Sequence, residues 1–221
     1  MAMLLRDLQQ LLGTLYRLEL DHDVRDYLIS DVALLRALEC PASQREVDEK
    51  LLLLEGEHGL EMALYLDQAV LERLAEADPR ESIGRHNIAD FWTVLEGISH
   101  FNYLVWNAGR DQCVTLLELE MQAEVDKYLG TRALLEQQAR SGLATCLLDW
   151  LFELPVFDPA LNVQEAERYR DASHLAGRYC HNLEHRFPAQ RLGLAMLEEL
   201  RSFYRWAQPA KISHIRTTHF N

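Results

Sequence analysis

Hydrophobic positions recur along most of the chain with the spacing of helices. Leu4, Leu8, Leu11, Leu12, Leu15 and Leu18 fall on one stripe over residues 3–18, which predicts an amphipathic helix. Asp23 or Asp31 can cap a second helical stretch, Val32 to Leu38, which Pro41 and Ser43 punctuate. The run EKLLLLEGEHGLEMALYLDQAVLERL breaks the pattern. A continuous helix there would carry Gly56 and Gly59 in its interior, each at a cost of about 1 kcal/mol. The favoured reading is a β-hairpin, with Leu51–Leu54 and Leu60–Leu66 around a Glu-Gly-Glu-His-Gly turn and Leu60, Met62, Leu64 and Leu66 on one face. Asp67 then caps a helix that ends before Asp78-Pro79.

From residue 88 the spacing predicts helix after helix. The first runs from a cap at Asn87 or Asp90 to about Asn107, closed by Gly109. Others are expected over about Gln112–Leu129, stopped by Gly130, and Thr131–Phe152, with Gly142 inside. Two more follow, Val163–Phe187 and Ala189–Ala207, and AKISHIRTTHFN reads as a tail with a short turn. The fold class is therefore mainly α: a bundle of about five C-terminal helices, an N-terminal helical segment and a short β-hairpin at 51–66. The expected division is an α/β cap over 1–85 and a helical bundle over 86–221, packed as one unit.

Composition narrows the function classes. The 221 residues carry a formal charge of -13, against wholesale coating of nucleic acid or an anionic membrane. The charge is uneven: residues 1–160 hold 13 basic and 29 acidic side chains, whereas 161–221 hold 9 and 6 with five of the nine His. Cys40, Cys113, Cys146 and Cys180 form no CxxC pair, and each reads as a small buried apolar residue in a reducing compartment. No apolar stretch reaches the roughly 18 residues of a membrane span. Nineteen Arg against three Lys suit a GC-rich bacterial genome. The expectation is a soluble cytoplasmic protein, with no cofactor indicated.

On the 163–187 helix, Arg170, His174, Arg178, His181 and His185 are spaced 4, 4, 3 and 4 apart and form one stripe opposite the apolar face. Such a stripe suits an acidic partner surface, because Arg offers a bidentate fork and His adds charge at lower pH. Inside it, His181-Asn182-Leu183-Glu184-His185 resembles the H-x-x-E-H string of the inverted zinc metallopeptidases over five residues. That resemblance implies two His ligands and a water-activating Glu, with only Glu198 and Glu199 downstream for a third ligand. Arg168 and His174 resemble the Arg-x(4–6)-His motif of helical ribonucleases, although Tyr169 stands where those enzymes carry a polar residue.

The 88–107 helix is apolar almost all round, which marks it as central. Glu96 and His100 on it are one turn apart and can hydrogen-bond or share an ion, as can Glu120 and Glu124 on the next helix. No P-loop, G-x-G-x-x-G or G-x-S-x-G string occurs. The leading expectation is a non-enzymatic interaction or adaptor protein that binds a protein partner or a second copy through the Arg/His stripe. Trp92, Trp106, Trp150 and Trp206 are candidate anchors. The alternatives are a metal-dependent enzyme, with Glu96, His100, Glu120, Glu124, His181 and His185 as candidate ligands, or an RNA-directed helical protein.

Overall fold

The computed structural model describes residues 2–40, 45–56, 59–140, 146–153, 160–188 and 192–218, with the backbone alone at 54–56 and 59–60. Helix α1 (Ala2–Tyr16) turns Leu4, Leu8, Leu12 and Leu15 into the core, as the stripe predicts. After a 3-10 turn at Val24–Tyr27 come β1 (Leu28–Ile29) and α2 (Val32–Leu38), whose N-cap is Asp31. The hairpin forms: β2 (Glu49–Gly56) pairs antiparallel with β3 (Gly59–Leu66), and β1 adds in parallel to give the order β1-β3-β2. Its apolar residues do not alternate because both faces are covered. Leu64 and Leu66 enter the main core, while Leu52 and Tyr65 pack with Leu35 of α2 on the other side. Asp67 caps α3 (Gln68–Glu76) by accepting from the amides of Ala69 and Val70.

The centre of the molecule is an antiparallel pair, α4 (Ile88–Ala108) and α5 (Leu116–Gln137). Their direction follows from the contacts, in which Glu96 meets Lys127, Ser99 meets Asp126 and Tyr103 meets Glu118. The helix boundary expected at Gly130 is absent. Gly130 does not stop a helix but lies inside α5, and no helix begins at Thr131. Its missing side chain is a packing requirement: a Cβ there would lie 2.5 Å from Leu95 Cδ2. Gly97 does the same for the sheet, since its Cβ would come within 2.8 Å of Leu64 Cδ1 and 3.0 Å of Glu49 Cγ. Residues 141–145, including Gly142, lie outside the described residues; beyond them Asp149–Glu153 forms a π-turn.

Helix α6 (Val163–Arg186) begins with a capping box in which Asn162 and Glu165 bond each other's backbone amides. Next is α7 (Leu194–Arg205), which starts later than its pattern suggested. The expected tail is instead α8 (Gln208–Thr217), with Pro209 in its first turn and Lys211 and Ile215 buried one turn apart. The cysteines also differ from expectation: only Cys180 is buried, while Cys40, Cys113 and Cys146 are exposed. Among the described residues no helix is long and apolar enough to cross a membrane.

Candidate functional site

Two buried polar systems lie against the α4–α5 pair. The first is a chain of hydrogen bonds inside the core. Asp126 accepts from Tyr16, from Ser99 Oγ at 2.6 Å and from Gln122 Nε2 at 2.9 Å. Lys211 Nζ donates to Gln122 Oε1 and Tyr103 Oη, both at 2.9 Å, and Tyr103 donates to Glu118 at 2.6 Å. Burial pushes the Asp126 carboxyl up to about 6, and burial lowers the Lys211 amine to about 7. None of these groups lines a described cleft.

The second system opens to solvent. Glu96 and His100 of α4 face Glu120, Glu124 and Lys127 of α5, β2 contributes Glu49, and the first turns of α6 bring Arg168 and Tyr169. The two edges of the His100 ring meet different carboxylates. Nδ1 is 3.4 Å from Glu49 Oε1, and Nε2 is 3.5 Å from Glu120 Oε2. Lys127 Nζ bridges Glu96 at 3.1 Å and Glu124 at 2.5 Å. Arg168 Nε stands 3.8 Å from the other Glu120 oxygen. Donor atoms of Glu49, Glu96 and His100 all lie within 4.8 Å of one another.

The electrostatics follow from burial against charge pairing. Burial would lower the His100 pKa, but Glu120 and Glu49 outweigh it and hold the imidazole well above its usual value. Burial raises Glu49 and Glu124, with His100 and Lys127 offsetting only part of the effect. For Glu96 the balance tips the other way: burial would raise it, yet the Lys127 ammonium and His100 hold it below the usual value. Four carboxylates thus confront Lys127, Arg168 and His100, so the cluster remains one negative charge in excess even with the imidazole protonated.

Glu49, His100, Glu120, Arg168 and Tyr169 line a cleft of about 490 Å³ between β2, the start of α5 and the start of α6. Glu96, His100, Glu120 and Glu124, singled out in the sequence, therefore do come together. Sequence reasoning missed Glu49 and Lys127, and it placed Arg168 and Tyr169 only in a ribonuclease-like motif, not beside these carboxylates. One signal pointed to Glu49: on a strand it is in phase with Leu51, so it is a charged residue facing the core.

The other candidates lie elsewhere. Arg170, His174, Arg178 and His185 are exposed on the outer face of α6, and His181 is half-buried with Nε2 3.7 Å from Glu153. Glu184 turns inward instead, accepting from Tyr128 and Arg132 of α5, so the Glu of the H-x-x-E-H string is engaged in the core and not held beside the exposed His185. The ribonuclease-like pair is likewise split, Arg168 in the cleft and His174 outside. Of the four Trp, Trp106 is buried at 5% exposure, and Trp92, which donates to Thr131 Oγ1, Trp150 and Trp206 are half-buried. Compared with known proteins, the chain matches no family model, no curated protein and no solved structure.

Proposed function

We propose that the protein is a metal-dependent enzyme, with a divalent transition-metal ion held by Glu49, Glu96 and His100 beside the cleft. The observation that carries this reading is the gathering of one imidazole and two carboxylate donors within 4.8 Å, from a strand and a central helix. One imidazole with two carboxylates suits Mn²⁺, Fe²⁺ or Zn²⁺. The far edge of the His100 ring faces Glu120, the kind of carboxylate partner that orients a metal-binding histidine. Lys127 engages Glu96 through Oε2, which leaves Oε1 for an ion. When bound, such an ion supplies Lewis-acid activation of water or of a substrate oxygen. The test is metal analysis of untagged protein, followed by calorimetric titration with Mn²⁺ and Zn²⁺. One equivalent is expected in the wild type, with the affinity of His100→Ala and Glu49→Gln reduced at least tenfold. Absence of any stoichiometric metal in both measurements would refute the reading.

A second reading is favoured by the exposed face of α6. Arg170, His174 and Arg178 make no ion pair with the described residues, whereas the first 160 residues are strongly acidic. An acidic protein surface, that of a second copy, is the partner this stripe suits. Mass in solution at low and high salt decides it, since a monomer at both removes the dimer.

A further inference from the structure

The cations that line the cleft are not equivalent. Arg45 is engaged by Glu165 at 3.1 Å, and Lys50 is engaged by Glu39. Arg168 differs. Its nearest carboxylate oxygen, on Glu120, is 3.8 Å away, beyond hydrogen-bond length, and its Nε is buried without an acceptor among the described residues. The same holds across that carboxylate: His100 is 5% exposed, and its Nε2 has no hydrogen-bond partner among the described residues. Two N–H-bearing groups on the cleft wall thus flank a single carboxylate, at 3.5 and 3.8 Å, and neither His100 Nε2 nor Arg168 Nε makes a hydrogen bond among the described residues.

We infer that the cleft takes a small molecule bearing a carboxylate or phosphate group, held by the Arg168 guanidinium while the rest of the molecule extends toward His100. A guanidinium presents paired N–H donors that match the oxygens of either anion, which an ammonium does not. The surroundings agree in sign. Leu116, the first residue of α5, and Asn162, the N-cap of α6, both line the cleft, so the positive ends of two long helices open onto it. With Glu49 given to a metal, the remaining lining carries Arg45, Lys50 and Arg168 against Glu120 and Glu165. This substrate class deepens the metal reading and rests on it for what lies beyond the anion, but Arg168 itself does not ligate the ion.

Inorganic phosphate and malonate serve as probes, each titrated calorimetrically into wild-type protein with and without Mn²⁺. Mn²⁺ affinity is measured first and separately. At least one anion is expected to bind the Mn²⁺-loaded protein one to one, and which of the two binds tells phosphate from carboxylate. Arg168→Gln should weaken that binding at least tenfold and Arg168→Lys by less, with Mn²⁺ affinity unchanged. If neither anion binds Mn²⁺-loaded protein, or if Arg168→Gln binds as wild type, the inference is overturned while the metal reading stands. If Mn²⁺ does not bind, the metal reading falls, and the same comparison on metal-free protein decides the anion site. Should Arg168→Gln fail to fold, Arg168→Lys carries the test, because it keeps the charge and loses only the fork.

Discussion

Replacing Lys211 by methionine should stabilise the protein at low pH and lose that advantage as the pH rises. The amine is fully buried on α8, bonded to Tyr103 and Gln122 and ringed by Tyr103, Phe203 and Tyr204, with Nζ 4.5 to 5.9 Å from their centroids. Burial lowers its pKa from 10.5 to about 7. Because the folded value is below the unfolded one, the unfolded chain binds more protons between these limits, and this group's contribution to stability rises with pH there. From pKa values of 10.5 and about 7, the penalty is about 2 kcal/mol at pH 9 and about 5 kcal/mol at pH 6. Methionine has a similar length and no charge, so it removes that penalty. It also leaves Gln122 Oε1 without its donor, a loss of about 1–3 kcal/mol at either pH. The variant should therefore be near wild type at pH 9 and about 2–3 kcal/mol more stable at pH 6. Asp126 shifts the result in the same sense, because the Lys211 charge is one of the influences that restrain its pKa. Urea denaturation followed by tryptophan fluorescence at pH 6, 7.5 and 9 measures the difference. A variant-minus-wild-type value that stays constant within 1 kcal/mol across that range would refute a titrating amine in the core.

Three further outcomes are expected. Gly130→Ala should destabilise by about 1–2 kcal/mol despite alanine's better helix propensity, because its Cβ meets Leu95 at 2.5 Å; a rise in urea midpoint would contradict that packing. Glu184→Gln should lower stability by about 1–2 kcal/mol through its Tyr128 and Arg132 partners, yet leave metal stoichiometry unchanged, and a lost metal would revive the H-x-x-E-H reading. Asn162→Ala removes the α6 cap and should lower stability by about 1 kcal/mol, read from the thermal midpoint.

The sequence was most legible where local signals and tertiary packing agree. The stripe of α1, the caps at Asp31 and Asp67, and the box at Asn162 each act within a few residues. The Gly56 and Gly59 pair likewise marks the hairpin turn locally, whereas the burial of its second face depends on Leu35 of α2 and was not read. Gly130 misled because a breaker and a close-contact residue look alike until the neighbouring helix is known, and Leu95 lies 35 positions earlier. Helix α8 was missed because its deepest residue is a lysine, which no hydrophobic pattern counts as core. Half of the candidate site shared this fate. Glu96 and His100 are one turn apart and readable, whereas Glu49 and Arg168 reach them from a strand and a helix far away in sequence.

The core network also orders events in time. Tyr16 meets Asp126 across 110 residues, and Lys211 meets Tyr103 across 108. A chain emerging from the ribosome through α7 can pack its apolar faces, but Gln122 and Tyr103 still lack their common donor until residue 211 is synthesised. Contacts of such long range slow folding, because the loop entropy is lost before the bonds reward it. The central helix pair should therefore be the last part of the molecule to become rigid, although both of its strands of chain are made midway through translation.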